Sequence, residues 1–280
     1  MTSFQAFAVR GKASPVVTLQ AGVDFGGYYW TTTSRRAAKV AALRRDTSTS
    51  VLSRRDGSWR LRVGRGLVLD PSRAPEAMRD LPVYALAGTA VALIAVRYPE
   101  QVLGYVADGG STPKDWRLHQ RVLIAVRPDE ELVWNDDGVI THRTDQFRGE
   151  YELPESSGRR TERRSIAHHD SGESLLDFDG KCWIGLDSRV GPIALPGAWS
   201  ADRSAVDVEA VVLAAVNADL PGRACVTIDD SESLRPSDKS GIIARADASL
   251  SGTRAGVARI AVAVDSTTTW NGFRSTVAAA

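Results

Sequence analysis

Short runs in which apolar and polar residues alternate fill most of this chain, and such a pattern is typical of β-strands. The runs are rich in Val, Thr, Tyr and Trp, and turns that contain Gly-Lys or Gly-Val-Asp separate them. Several short antiparallel strands with one early helix favour a small barrel. The strands predicted in the first half cover Phe4–Arg10, Ser14–Gln20, Gly27–Thr32, Ser50–Arg54, Trp59–Leu69 and Arg121–Val126.

Three segments of the first half have the spacing of helices instead. Apolar residues recur every three or four positions over Arg35–Arg45, which predicts one helix. Val83–Arg97 predicts a second, apolar helix, Pro99 begins or kinks another, and Gly109-Gly110 ends it. We assign residues 71–115 to a helical insertion. Its apolar stretch is too short to span a bilayer and suits a core or dimer-contact helix.

Fragments of the first half recur in the same order in the second half, which predicts a tandem duplication. The number of residues between matched positions of the two halves stays nearly constant along the chain and changes at only a few points. The largest change arises because the first half contains the helical insertion and the second half does not. The matched fragments are Gly11-Lys12 with Gly180-Lys181, Gly22 with Gly191, Trp30 with Trp199, residues 41–46 with 214–219, residues 63–65 with 243–245, and residues 121–126 with 259–264.

A polar, charge-rich stretch between the two halves has the composition of a linker. We therefore divide the chain into a first β-barrel with its helical insertion at residues 1–140, a linker at 141–173 and a second β-barrel at 174–280. The predicted fold class is mainly β, with two tandem barrels and few helices.

The most informative segment is the predicted strand-to-helix junction at residues 28–39, which reads YYWTTTSRRAAK. A helix N-terminus has unpaired N–H groups and a partial positive charge, so its first turn prefers acidic residues. Arg35, Arg36 and Lys39 have the opposite sign there, which costs roughly a few tenths of a kcal/mol each unless an anion binds. With the preceding hydroxyl groups, they predict a phosphate-binding site. The alternative is that these long side chains simply point into solvent.

The same segment, followed by VAALRRD and a strand that contains Arg-x-Arg-Val-x-Arg-Gly, resembles the split β-barrel flavoproteins. This is the superfamily of pyridoxamine 5′-phosphate oxidase and of the flavin/deazaflavin-dependent oxidoreductases. The resemblance covers about residues 4–135 and, more weakly, 174–275. It implies two tandem FMN-binding-type split β-barrels, with FMN, or alternatively F420, at an interface between two barrels. The resulting cofactor-binding candidates are Thr31, Thr32, Thr33, Ser34, Arg35, Arg36 and Lys39, and Trp30 is added because it adjoins the hydroxyl run.

The second half departs from this pattern. The alignment that matches residues 41–46 with 214–219 places Val208, Glu209 and Val212 opposite Arg35, Arg36 and Lys39. The second half therefore lacks the three positive charges and has an acid in their place. Pro196-Gly197 stands where the first half has Gly27-Tyr28. We therefore expect a fused pseudo-dimer with one intact site per chain and the second barrel as its wall. The alternative is that both sites fail and the fold serves another purpose.

Composition narrows the classes of function. With 35 Lys+Arg and 34 Asp+Glu, the net charge of +1 argues against a protein that coats nucleic acid. Ten of these bases and only two acids fall within Ser34–Arg65, so the balanced total conceals a basic site. Two cysteines and the absence of a signal-peptide pattern predict a cytoplasmic protein. Neither a Gly-x-Gly-x-x-Gly loop after a strand nor a Gly-Lys-Ser/Thr loop occurs.

The remaining reactive residues form no recognisable catalytic set. Residues 117–121 resemble the substrate-binding signature of pyridoxamine 5′-phosphate oxidases, but Gln120 departs from it, so we place His119 at a strand edge. His168-His169-Asp170 lacks further ligands, and no metal site is predicted. Two buried thiols, Cys182 and Cys225, are expected to be inert.

The expected function is that of an oxidoreductase that binds FMN or F420 and transfers hydride or electrons to a small organic substrate. No catalytic acid or base is assigned. The abundance of arginine near the site favours an anionic tail such as that of F420, and Trp270 is expected to pack inside its barrel. The alternative is a non-catalytic split-barrel protein that holds a flavin, haem or another anion. Neither a membrane nor a nucleic acid is an expected partner, and further pairing of two chains stays open.

Overall fold

The computed structural model describes residues 5–73, 80–107, 112–114, 117–147, 181–229, 236–272 and 274–279. These residues are mainly β, which confirms the predicted fold class. The strands are β1 Gln5–Arg10, β2 Pro15–Gln20, β3 Gly22–Phe25, β4 Tyr28–Ser34, β5 Ser48–Arg55, β6 Ser58–Leu69, β7 Arg121–Asn135, β8 Ile140–Arg143, β9 Lys181–Ser188, β10 Gly191–Trp199, β11 Ala205–Glu209, β12 Gly222–Asp229, β13 Ser240–Arg254, β14 Val257–Asn271 and β15 Arg274–Ala279. The α-helices are α1 Ala38–Arg45, α2 Leu81–Arg97, α3 Pro99–Ala107 and α4 Ala210–Val216.

The strands form two antiparallel sheets, and the order of strands repeats between them. The first sheet runs β2-β1-β5-β6-β7-β4-β3, with β8 added to β7. The second runs β10-β9-β12-β13-β14-β15, and β11 pairs with both β10 and β14, so six strands close into a barrel. If β3, β8 and β15 are left out, the two halves have the same strand order, in which β10, β9, β12, β13, β14 and β11 correspond to β2, β1, β5, β6, β7 and β4. A helix follows β4 in the first half and its counterpart β11 in the second. A tandem duplication would produce this repetition.

Strand register shows which residues of the two halves are equivalent. Ser34 of β4 pairs with Arg121 of β7, and Asp207 of β11 pairs with Arg259 of β14. These two pairs have the same spacing as the later fragment matches in the sequence. Val208, Glu209 and Val212 therefore do occupy the positions of the three cations of the first half.

Strand equivalence shows that the match of Trp30 with Trp199 is wrong. The matches of Gly11 with Gly180 and of Gly22 with Gly191 have the same spacing and are wrong with it. Trp30 lies in β4, whereas Trp199 ends β10, which is the counterpart of β2. Pro196-Gly197 also lies inside β10, so it does not replace Gly27-Tyr28. Short fragments that share one Gly or Trp match by chance, and only the strand partners reveal which matches are real.

The two sheets pack directly on each other. Strands β1, β2 and β5 contact β9, β10 and β12, and one apolar core continues from the first sheet into the second. The Thr227 hydroxyl of the second half donates to the carbonyl of Val17, at 3.0 Å. Arg10 bridges Asp46 of its own half and Asp187 of the other, both at 3.1 Å. The halves therefore form one packed body with a continuous seam.

Two predicted boundaries shift. The first helix begins at Ala38 and not at Arg35, because the N–H of Arg35 donates to the carbonyl of Gln120 and so continues the β4–β7 pairing. Residues 141–147, which were assigned to the start of the linker, belong to the first half, since β8 pairs with β7 and Phe147 is fully buried. Residues 148–180 lie outside the described residues.

The predicted helical insertion forms α2 and α3. Helix α2 covers the first sheet with Val83, Ala90 and Ile94, which pack among apolar residues of β3, β4 and β7. Within the described ranges, no single helix is long and apolar enough to cross a membrane, although α2 and α3 together, bent by 87°, meet that criterion.

Candidate functional site

A cavity of about 370 Å³ lies on the seam between the two sheets, beside the first turn of α1. The first half contributes residues of β2, the end of β4, the start of α1 and α3, whereas the second half contributes the ends of β12, β13 and β14. Neither half encloses the cavity alone, so the two halves build one composite cavity here.

Positive charge dominates the described lining of this cavity. Arg36, Lys39 and Arg121 come from the first half and Lys239 from the second, and Asp229 is the one acid among the described lining residues. With all five ionised, the lining carries a net charge of +3. Four cations around a cavity of this size repel one another, so an anion placed between them would be stabilised.

Lys39 lies in the first turn of α1 and points towards β2, where its Nζ donates to the hydroxyl of Thr18 at 3.0 Å. Burial is the main cause that lowers the pKa of Lys39 to about 7, and the nearby charges of Lys239 and Arg121 act in the same direction while Asp229 opposes them. A bound anion would favour the protonated amine, so proton uptake and anion binding at this residue are coupled.

Arg121 is fixed at the opposite side of the hydroxyl run. Its guanidinium donates to the hydroxyl of Thr32 at 2.8 Å and to the carbonyl of Thr32 at 2.9 Å. A third bond runs to the Tyr105 hydroxyl at 2.6 Å, and the guanidinium carbon lies 4.5 Å from the centroid of that ring. Burial lowers the pKa of Arg121 in spite of this partner. Through these contacts Arg121 ties α3 to the end of β4.

The second half supplies Lys239 and Asp229, which sequence reasoning missed. Lys239 lies just before β13, and its pKa is lowered by burial and by Arg121 while Asp229 opposes the shift. Asp229 ends β12 and is almost fully buried. No local motif distinguishes these two residues, because they reach the cavity only through the packing of one sheet on the other.

Five of the eight predicted cofactor-binding residues line the cavity. These are Thr32, Thr33, Ser34, Arg36 and Lys39. The hydroxyl groups follow one another where β4 ends, and α1 begins after three further residues, with the N–H groups of its first turn.

The other three predicted residues face elsewhere. Trp30 is fully buried beneath α2, and its Nε1 donates to a backbone carbonyl of β3. The hydroxyl of Thr31 is fully buried and donates to the carbonyl of Ala21 at 2.8 Å. Arg35 forms an ion pair with buried Asp70 at 3.1 Å. Trp30, Thr31 and Arg35 therefore stabilise the strands around the cavity and do not line it.

Apolar and aromatic side chains form the remaining wall. Leu19 and Tyr105 come from the first half, and Ile243 and Trp270 from the second. Trp270 was expected to pack inside its barrel but lines the cavity, and Gly241 makes room for it. A Cβ atom at Gly241 would lie 2.2 Å from the Trp270 ring, so this glycine is required by close approach.

The equivalent position in the second half is closed by its own acid. Asp207, the counterpart of Ser34, accepts two hydrogen bonds from Arg259, the counterpart of Arg121, at 2.8 and 2.9 Å. Val212 is buried where Lys39 would lie. The carboxylate of Asp207 thus neutralises Arg259, and one site per chain stays a prediction.

The other candidates from the sequence do not reach the cavity. His119 is exposed in a short 3-10 turn and lies outside the lining, and His168-His169-Asp170 falls outside the described residues. Cys182 and Cys225 are buried, and burial raises the pKa of the Cys225 thiol to about 11. Among the described residues, no group of three or more His, Cys, Asp or Glu could hold a metal ion.

No family model matches the chain, and no curated protein matches it. Solved structures do match, and each covers about half of the chain. A pyridoxamine 5′-phosphate oxidase-related, FMN-binding protein of Nostoc punctiforme is 12% identical, with a TM-score of 0.36 over 51% of this chain and 82% of its own. An F420 reductase is 17% identical, with a TM-score of 0.31 over 46% of this chain and 89% of its own.

A FAD-binding protein of Mesorhizobium loti is 11% identical, with a TM-score of 0.34 over 47% of this chain and 84% of its own. At such identities the likeness concerns the fold.

Proposed function

We propose that this chain binds FMN, or alternatively F420, in the cavity between its two halves and acts as an oxidoreductase on a small organic substrate. The observation that carries this proposal is the cationic end of the cavity, where Lys39, Arg121 and Lys239 surround the hydroxyl run at the end of β4. Such a combination of hydroxyl donors, buried cations and a helix N-terminus binds phosphate.

The donors fit the phosphate of such a cofactor. The hydroxyl groups of Thr32, Thr33 and Ser34 can each donate one hydrogen bond, and Lys39 and Arg121 supply charge that is largely withdrawn from solvent. A charge-assisted hydrogen bond of this kind contributes about 1.5–3 kcal/mol. The site therefore has the composition needed to hold a dianionic group at one end.

The apolar wall fits the ring end of the same ligand. Leu19, Ile243 and Trp270 present carbon surface, and the Tyr105 ring is held in place by its bond to Arg121. When bound, the flavin or deazaflavin ring would supply the hydride or electron transfer. The residues of this chain would bind and orient the ring and, because the second half covers the seam, exclude water from it.

Two features bear on which cofactor binds. Arg36 lines the cavity but is exposed, so it lies within reach of a ligand that extends out of the site. A long anionic tail, as in F420, would gain from this cation, whereas the single phosphate of FMN would be satisfied by the buried donors. We therefore expect Arg36→Ala to weaken F420 binding more than FMN binding.

A specific observation favours the alternative of a binding protein without turnover. The described lining contains neither His nor Cys, which are common proton donors, acceptors and nucleophiles in enzymes. This alternative keeps the same ligand and the same cationic end, so it differs from the oxidoreductase only in the fate of the bound ring.

The test is an absorbance spectrum of the purified protein, followed by titration with FMN, F420 and haem. A flavin or deazaflavin band that is retained on desalting supports the proposal, and a haem band alone contradicts it. Lys39→Met should weaken binding about 10- to 100-fold, whereas Lys12→Met, on the exposed surface, should leave it unchanged. If the reduced cofactor is oxidised by candidate acceptors no faster than when it is free, only the binding function stands.

A further inference from the structure

Lysine is scarce in this chain, which contains five lysines against thirty arginines. Two of the five, Lys39 and Lys239, nevertheless line the same cavity on the seam, and they come from opposite halves. Arginine stays protonated in proteins, whereas a buried lysine can lose its proton. The two lysines therefore give this cavity a chemistry that arginine cannot provide, namely an amine that can act as a nucleophile.

We propose that Lys39 is such a nucleophile and forms an imine with a small aldehyde that carries a phosphate group. The cationic lining and the hydroxyl run at the end of β4 would hold the phosphate, and the carbonyl carbon would meet the Nζ atom of Lys39. This covalent site uses the same cavity as the proposed cofactor but does not depend on that cofactor.

The amine of Lys39 is held in place within the cavity. Lys39 lies in the first turn of α1, and its Nζ donates to the Thr18 hydroxyl of β2 at 3.0 Å. A neutral amine has two N–H groups and one lone pair, so this single bond leaves the lone pair available to a carbonyl carbon. Because Lys39 is itself a lining residue, a ligand in the cavity meets this amine directly.

The surroundings of Lys39 favour its neutral, reactive form. Burial disfavours a positive charge on Lys39, and repulsion by Lys239 and Arg121 acts in the same direction, whereas Asp229 opposes them. Arg36, the other cation of the described lining, is exposed to solvent. Desolvation and a neighbouring cation are two of the means by which enzymes activate a lysine as a nucleophile.

The effect on the amount of neutral amine is large. With a pKa of about 7, Lys39 is neutral in about half of the molecules at pH 7. A lysine with the ordinary pKa of 10.5 is neutral in only about one molecule in three thousand at this pH. Near neutral pH, Lys39 should therefore react with aldehydes well ahead of the exposed lysines.

The size and charge of the cavity suit a phosphate-bearing aldehyde. A volume of about 370 Å³ lies within the range of pockets that bind small molecules. The lining carries a net charge of +3 when all its described charged groups are ionised, and +2 when Lys39 is neutral. A phosphate dianion then balances the charge of the lining, whereas an uncharged aldehyde of similar size lacks this attraction.

The reaction needs neither an oxidant nor a reductant. The lone pair of Nζ forms a bond to the carbonyl carbon, and an electron pair of the C=O double bond moves onto the oxygen. Two protons pass from the amine to this oxygen, the C–O bond breaks, and water leaves as the C=N bond forms. Asp229 and Lys239 are charged groups of the same lining that can accept and return these protons.

Reductive trapping tests the proposal. The cofactor-free full chain is incubated at pH 7 with glyceraldehyde 3-phosphate and cyanoborohydride, which reduces an imine to a stable amine, and its peptides are analysed by mass spectrometry. We expect label at Lys39 in at least about a 10-fold excess over the exposed Lys12 and Lys114. Glyceraldehyde, which lacks the phosphate, should label Lys39 at least about 10-fold less. Equal label on the exposed lysines, no label at Lys39, or no dependence on the phosphate would overturn the proposal.

Variants separate the nucleophile from its charge. Lys39→Arg keeps the cation and Lys39→Met removes it, but both lack the amine and should lose the label at this position. Circular dichroism checks that each variant is folded. Lys12→Met, on the exposed surface, should leave the label at Lys39 unchanged. The same amount of label per chain in both Lys39 variants as in the wild type would contradict the proposal.

The pH dependence gives a readout that accessibility alone would not produce. The ratio of label at Lys39 to label at Lys12 should fall at least about 10-fold between pH 7 and pH 10, because ordinary lysines lose their protons only at high pH. A constant ratio would refute the reasoning. Added FMN separates this proposal from that of the cofactor. Label at Lys39 that FMN does not reduce would support the covalent site and contradict the proposed cofactor site.

Discussion

Replacing Lys39 with Met should stabilise the cofactor-free protein while it weakens anion binding. Methionine keeps the length of the side chain but removes an amine whose pKa is near 7 instead of about 10.5. A shift of that size corresponds to an upper limit of about 5 kcal/mol of unfolding free energy lost to the buried charge. Because the amine keeps partial access to solvent, we expect a gain of about 2 kcal/mol at pH 6.

The sign of the pH dependence follows from the lowered pKa. Between pH 7 and 10.5 the unfolded chain binds more protons at Lys39 than the folded protein does, so the stability of the wild type rises with pH in this window. Below pH 7 the destabilisation is complete. The advantage of Lys39→Met should therefore be constant below pH 7, shrink as the pH rises and vanish near pH 10.5.

Urea denaturation at a series of pH values measures this effect, with the exposed Lys12→Met as the matched control. A parallel series with added FMN should stabilise the wild type more than Lys39→Met, because only the wild type retains the full set of donors. The reasoning is refuted if Lys39→Met is less stable than the wild type at pH 6, or if the difference between them is independent of pH.

Three further substitutions test the surroundings of the cavity. Arg121→Gln should weaken cofactor binding about 10- to 100-fold by calorimetry, since it removes a charged donor. Gly241→Ala should displace the Trp270 ring and change its fluorescence and the cofactor affinity, as the new Cβ atom would lie 2.2 Å from that ring. Asp70→Asn should cost about 3 kcal/mol in thermal unfolding, because two arginines lose a buried carboxylate. Burial raises the pKa of Asp70, but bonds from Ser72 and the two arginines outweigh this and lower it, so the wild type should lose that stability as acidic pH falls through this pKa, whereas the variant should not.

The local pattern of the chain was sufficient for most of the elements. Predicted strands and helices of the first half agree with β1, β2, β4–β7, α1 and α2 to within a few residues, apart from the longer β7. The start of α1 was missed because Arg35 has helical spacing in the sequence but continues the strand pairing through Gln120. A hydrogen bond between residues so distant along the chain leaves no trace in local periodicity.

The site could be predicted only as far as its residues are contiguous. The junction at residues 28–39 contains six lining residues, and the presence of hydroxyl groups and cations together identifies all of them except Ala37. Trp30, Thr31 and Arg35 belong to the same segment, but their side chains bond to a carbonyl of β3, to the carbonyl of Ala21 and to Asp70. These partners become neighbours only through strand pairing and packing, so the sequence of the junction does not show which of its residues reach the cavity.

The two halves differ in charge at equivalent strand positions, although they share one strand order. At equivalent positions, Ser34 leaves Arg121 available to the cavity, whereas Asp207 neutralises Arg259. The second half also lacks the three cations that follow Ser34, so this carboxylate is one of several changes that remove positive charge at the equivalent position. The second half instead contributes Lys239 to the cavity beside α1 of the first half. Its loss of charge at one position and its gain of a wall lysine at another therefore serve the same composite site.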